Sequence, residues 1–167
     1  ICGHDVKTDF ERAIRNVGGI IENPEMYKYL SGRDNLKQYA RMYDNVSFSR
    51  IDEVSDIVRM RERIDDKISR YSLGMRQRLG IANALLTKPE IMVLDEPVNG
   101  LDPEGIVEIR LMLKRLAEEK NVTIIISSHI LSELAEMCTD YSIINHGRLI
   151  ENLSMEELMT KCRSYYA

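Results

Sequence analysis

Two adjacent carboxylates close an apolar run: Ile91-Met92-Val93-Leu94 leads into Asp95-Glu96, and Pro97 follows. The run predicts a strand with both acids at its carboxyl end, the edge at which open parallel sheets bind ligands. Magnesium keeps several waters and takes further oxygens from substrate phosphates, so one carboxylate suffices to hold it there. A second carboxylate beside the first can polarise an attacking water, which suits metal-assisted phosphoryl transfer. A strand end capped by two acids before a proline turn accounts for the same residues without chemistry.

Four other segments carry residues of the same kind. Ser72-Leu73-Gly74 precedes a helix expected to begin near Met75, and a helix N-terminus offers free N–H groups to a phosphate. Taken in isolation, Ser72 as a plain N-cap is the better explanation. Ser127-Ser128-His129 follows the largely apolar Val122–Ile126 and begins a helix; a lone histidine is more often structural than catalytic. Asn99-Gly100-Leu101-Asp102 follows the acidic pair after Pro97 and Val98, and its residue types also suit a simple turn. Glu22, in Val17-Gly18-Gly19-Ile20-Ile21-Glu22-Asn23-Pro24, reads by itself as a solvated acid after a strand. His4 and His146 lack any such setting and read as surface residues.

In order along the chain, Tyr71-Ser72-Leu73-Gly74-Met75-Arg76-Gln77-Arg78, Ile91–Pro97, Asn99–Asp102 and Ser127–His129 resemble the nucleotide-binding subunit of an ATP-binding-cassette (ABC) transporter. The resemblance covers essentially all 167 residues. Leu73 stands where the family's signature has glycine and Met75 where it has glutamine, a variant similar to the bacitracin and lantibiotic resistance branch. The resemblance implies ATP and Mg2+ as cofactors, with Asp95 positioning the metal and Glu96 as catalytic base. It implies that His129 contacts the γ-phosphate, and that Ser72 and Gly74 reach across a dimer to the γ-phosphate of the opposite subunit. Asp102 would lie at that dimer interface. Glu22 aligns with a glutamine of the family, and its carboxylate can still ligate Mg2+. The implied reaction is hydrolysis of ATP to ADP and phosphate, with closure of two ATPase subunits moving a separate transmembrane permease. Antimicrobial peptide export or resistance is the implied service.

No Gly-Lys pair occurs in the sequence, so the family's Gly-Lys-Ser/Thr phosphate loop is not among these residues. The fold expected is α/β: a P-loop NTPase-type parallel sheet with an inserted helical subdomain, its N-terminal phosphate-loop strand and helix missing. Such a segment is expected to bind ATP weakly by itself and to self-associate, or rearrange its sheet, through unpaired strand edges. Two other readings stand beside this one: a soluble ABC protein acting on ribosomes in antibiotic protection, and a non-catalytic remnant.

The elements expected to position these residues follow from periodicity and turn chemistry. Ala13–Ile21 reads as a strand, then a helix capped by Ser31 runs to about Asp44, and a second spans roughly Arg50 to Met60. Helix continues to about Thr87, with a break near Ser69–Gly74. Strand Glu90–Leu94 precedes a helix opening at Pro103 that buries Ile106, Ile109, Leu113 and Leu116. Strand Val122–Ser127 and helix Ile130–Met137 follow, then a hairpin of Tyr141–Asn145 and Leu149–Glu151 across His146-Gly147. Ser154-Met155-Glu156-Glu157 caps a last helix. The chain accordingly divides into a helical subdomain at 31–87, a sheet core at 88–151 and a C-terminal helix at 152–167.

Composition narrows the classes. A chain of 167 residues, 44% hydrophobic and 30% charged, has the make-up of one ordinary globular domain. A net charge of −4 argues against a nucleic-acid surface. Arg59, Arg61 and Arg63 are interrupted by Glu62 and followed by Asp65 and Asp66, and read as a solvated helix face. Cys2, Cys138 and Cys162 lack metal-type spacing and read as reduced thiols. No apolar run approaches the ~18–20 residues of a membrane span. The expected location is cytoplasmic, peripheral on the inner face of the membrane, without insertion into it. Met42, Met60 and Met112 read as core filling.

Overall fold

The computed structural model describes residues 1–21 and 24–165, in two compact units that divide after Ser127.

In the first unit α1 (Phe10–Arg15) leads into β1 (Val17–Ile20). Three helices follow, α2 (Gly32–Ala40), α3 (Ser49–Ile57) and α4 (Leu73–Ala84), before β2 (Ile91–Asp95), α5 (Pro103–Lys120) and β3 (Thr123–Ser127). The three strands form one parallel sheet in the order β1-β2-β3, and Asp95 lies opposite Ser127 in the register. Parallel neighbours need crossovers; α2–α4 supply one and α5 the other. β1 approaches α4 closely enough that a Cβ on Gly18 would stand 2.4 Å from the Ala84 carbonyl oxygen, so only glycine fits there. Leu36, Ile51, Val54, Ile64, Ile68, Leu79 and Ile81 make the core among the helices, with Met92, Leu94, Ile109 and Leu116 buried at the sheet and on α5.

Capping residues set the helix starts. The Ser31 hydroxyl accepts the Asp34 N–H at 3.1 Å, and the Asp102 carboxylate accepts the Gly105 N–H at 3.2 Å ahead of Pro103. Asn121 closes α5 in the left-handed conformation (φ 53), which asparagine tolerates.

The structure corrects several expected boundaries. The predicted strand Ala13–Ile21 begins only at Val17. Ala13, 1% exposed, closes its turn to Asp9 in a short helix, and the β-branched, glycine-containing stretch starts after it. α2 stops at Ala40, short of Asp44, and Met42 is 77% exposed, whereas Met60 is 2% exposed in the core. No helix carries Arg59, Arg61 and Arg63: Arg59 takes a positive φ of 56 and ends α3, and residues 58–66 form turns and a bend before Lys67 bridges to Ser31. Arg61 pairs with Asp56 and Arg63 with Asp66 in those turns.

In the second unit α6 (Leu131–Ala135) precedes β4 (Asp140–Asn145) and β5 (Arg148–Ser154), an antiparallel hairpin, and α7 (Met155–Tyr165) follows. His146 (φ 47) and Gly147 (φ 71) make the two-residue turn with both residues left-handed, the form that matches strand twist. Ser154 and Glu157 form the expected reciprocal cap: the Glu157 N–H reaches the Ser154 hydroxyl and the Ser154 N–H reaches the Glu157 carboxylate, at 3.3 and 2.8 Å. β5 runs through Ser154, so residues 152–154 are strand and the last helix starts at Met155. Tyr141, Leu153 and Leu158 form this unit's core against Leu134, Cys138 and Met155. Among the described residues no helix is long and apolar enough to cross a membrane.

Candidate functional site

Asp95 is the last residue of β2, and the chain reverses directly after it. Glu96 adopts a left-handed backbone (φ 48), a conformation that costs a non-glycine residue about 1–2 kcal/mol. Its N–H is met by two acceptors of Ser127, the carbonyl oxygen at 3.1 Å and the hydroxyl at 3.3 Å. The same hydroxyl donates to the Asp95 carboxylate. Both acids are half-buried at the carboxyl end of the sheet, where the sequence placed them.

Pro97 and Val98 are buried, and the chain turns back on the Asn99 N–H to Glu96 carbonyl bond (3.1 Å) and the Leu101 N–H to Val98 carbonyl bond (3.2 Å). Gly100 takes φ 73 in that turn. Asp102 then caps α5, so its turn-and-cap role is real whatever else it does.

Ser72 caps α4 by accepting the Met75 N–H at 3.2 Å. The buried phenol of Tyr71 beside it donates to the Arg63 carbonyl at 2.7 Å, and burial pushes its pKa up to about 12. The start of α4 and the turn after Glu96 lie side by side: a Cβ on Gly100 would stand 3.2 Å from the Leu73 side chain, and one on Gly74 3.8 Å from Leu101. An ion pair between Arg78 and Glu108 ties α4 to α5 beyond this point. Ser72, Gly74, Asp95, Glu96 and Asp102 thus sit on one sheet edge and the helix starts next to it.

His129 belongs to the second unit, in a bend before α6. It precedes that helix by two residues and does not open it; the Ser128 hydroxyl accepts the Ile130 N–H at 3.1 Å there. Glu22 lies outside the described residues. His4 contacts Asp9 on the surface of the first unit and His146 occupies the hairpin turn. Ser127 is the residue that sequence reasoning missed at this site. Its neighbour across the sheet is fixed by strand register, which no local pattern encodes.

Among the described residues no group of three or more His, Cys, Asp or Glu side chains could hold a metal ion. A single carboxylate beside a phosphate ligand fits the donor set of Mg2+, which fills its octahedron largely with water and phosphate oxygens. Asp95 supplies such a carboxylate.

A groove next to the α4 start is lined by Ile21, Pro24, Met26, Lys28, Ile68 and Arg76, among others. The segment that borders it carries Tyr27 and Tyr29, 53% and 69% exposed, with ring centres 5.9 Å apart.

Residues 1–99 match the sequence family described as ABC transporter. An uncharacterized ABC transporter ATP-binding protein, YhcH of Bacillus subtilis (strain 168), is 51% identical over 151 residues, 90% of this chain and 50% of that protein. The bacitracin transport ATP-binding protein BcrA of Bacillus licheniformis is 42% identical over 165 residues, 99% of this chain and 54% of that protein. A solved structure of cbiO1 from Clostridium perfringens, part of the ABC transporter complex cbiONQ, shares the fold with a TM-score of 0.81 at 22% identity. That match covers 92% of this chain and 63% of the other. The chain spans about half the length of the curated relatives it matches.

Proposed function

The chain belongs to the ABC transporter family, and from that premise we propose that it is part of the ATP-hydrolysing subunit of a transporter for antimicrobial peptides, of the bacitracin or lantibiotic kind. The observation that carries the reading is the half-buried Asp95–Glu96 pair at the carboxyl end of β2, beside the starts of α4 and α5. Similarity over nearly the whole chain to a bacitracin transport ATP-binding protein supports the substrate class.

In this reading Asp95, with Glu22, would hold Mg2+. When bound, that ion neutralises charge developing on the transferred phosphoryl oxygens. Glu96 accepts the proton of the attacking water. His129 supplies a hydrogen bond to the γ-phosphate. Ser72 and Gly74 present the N–H groups and positive dipole end of α4 to the nucleotide of a second ATPase subunit, identical or homologous. Asp102 stands at the interface with that subunit. The division of labour follows the chain: 31–87 carries the signature to the partner, 88–151 the acids and His129, and 152–167 closes the C-terminal side.

The proposed partner beyond the second ATPase is a transmembrane permease, docked on the groove and the exposed Tyr27 and Tyr29. Aromatic side chains of this kind are enriched at interface cores. The subunit would then work at the cytoplasmic face of the membrane without entering it.

A photo-crosslinker replacing Tyr27 in the complete protein, activated in native membranes, tests the transport reading. Mass spectrometry is expected to identify a polytopic membrane protein in the adduct. Ribosomal proteins there would contradict it and favour a translation-directed ABC protein.

A further inference from the structure

We propose that Ser127 is a positioning residue for the acidic pair, with its hydroxyl fixing the Asp95 carboxylate and its two oxygens holding the Glu96 turn. The inference rests on the hydrolytic reading of Asp95 and Glu96 given above, and adds a residue to which that reading assigns no part.

The geometry is specific to this position. Parallel register sets Asp95 opposite Ser127 at the last rung of the β2–β3 pairing. One hydroxyl serves both neighbours there, donating to the Asp95 carboxylate and accepting the Glu96 N–H at 3.3 Å. The Ser127 carbonyl takes that same N–H at 3.1 Å. The left-handed Glu96 backbone is uphill by itself, and strained residues of this type persist where their surroundings over-determine them. Ser127 supplies that determination from the neighbouring strand. Without it the Asp95 carboxylate loses the donor that orients it.

The adjacent serine acts differently, since the Ser128 hydroxyl accepts the Ile130 N–H along its own chain. The three preceding residues, Ile124, Ile125 and Ile126, are apolar strand formers. A fourth residue of that type at 127 would continue β3 equally well but would bring no donor to Asp95. Groups that hydrogen-bond a metal-ligating side chain commonly change metal affinity or rate about 10–100-fold when removed.

The test compares wild type, Ser127→Ala, Ser127→Thr and Glu96→Gln in the complete protein. Two quantities are read: ATP hydrolysis (kcat and KM), and Mn2+ affinity with ATP by electron paramagnetic resonance, the latter in the Glu96→Gln background so that no turnover intervenes. Ser127→Ala is expected to lower kcat and Mn2+ affinity about tenfold each, with KM for ATP unchanged. Ser127→Thr keeps the hydroxyl on a strand-compatible side chain and is expected to restore both. Wild-type kcat and Mn2+ affinity in Ser127→Ala would overturn the proposal. So would Ser127→Thr as impaired as Ser127→Ala, which would trace the effect to strand packing. If Glu96→Gln stops hydrolysis while Ser127→Ala is silent, the positioning role alone fails. If the wild type does not hydrolyse ATP, the reading beneath it fails.

Discussion

Leu101 lies 3.8 Å from where a Cβ on Gly74 would stand, so the start of α4 and the turn after the acidic pair share one surface although Gly74 and Gly100 are 26 positions apart. Gly100, on the same surface, takes φ 73, and its Cβ would stand 3.2 Å from the Leu73 side chain. The two glycines therefore differ in kind: one meets ordinary packing distance, the other needs a backbone that L-residues avoid.

Gly100→Ala is accordingly expected to destabilise the protein by about 1–2 kcal/mol, and Gly74→Ala to change stability far less. Urea denaturation of the two variants measures the difference. Equal tolerance at both positions would contradict the arrangement of this turn.

Stability should fall on both flanks of pH for reasons that can be separated by substitution. Arg33 donates to Asp65 and Asp52, at 2.7 and 2.8 Å, and its hydrogen bond holds the Asp52 carboxyl below the usual carboxylate range. The Ser31 hydroxyl, and then Lys37, hold Asp34 low as well. Depressed carboxyls stabilise the fold above the unfolded value of about 4, and that contribution is lost as pH falls through the folded values. Asp52→Asn is expected to flatten the acid limb.

Tyr71 acts on the opposite flank. Its folded value of about 12 lies above the ordinary tyrosine value of about 10, so the unfolded chain ionises first. Its contribution is complete below about pH 10 and is lost as pH rises toward 12. Tyr71→Phe removes this dependence and leaves the slope owed to Tyr39, Tyr141 and Cys138, whose phenols and thiol burial also raises. Scanning calorimetry of the variants against pH checks both limbs; curves parallel to wild type would refute the assignments.

The sequence showed most where local chemistry decides structure. Pro103 after Asp102, Ser72 before α4, Ser154 with Glu157, and the His146-Gly147 turn each mark a boundary by side-chain or backbone geometry that any surroundings would respect. β2 and β3 were legible because short apolar, β-branched runs favour strand whatever covers them; Val93 and Ile125 are in fact 42% and 55% exposed. The misread segments lacked that local signature. Phe10–Arg15 is too short to show helical periodicity and its neighbour Val17 begins a real strand. The turns at 58–66 contain good helix formers, and the left-handed Arg59 at their start breaks the pattern. At the candidate site, Asp95, Glu96, Ser72 and Asp102 stood out through their order along the chain and the family resemblance, since each alone also reads as a strand end, cap or turn. That Leu73 meets Gly100, and that Ser127 reaches across to Asp95, follows from sheet register and helix packing, which a linear reading does not contain.

Glu96 is proposed to activate water for ATP hydrolysis, and the decisive measurement is steady-state ATPase of the complete protein carrying Glu96→Gln. ATP binding is expected to persist and turnover to fall by about 10²–10⁴-fold, the usual cost of removing a general base; steady-state ATPase equal to wild type in that variant would show that Glu96 is not the base.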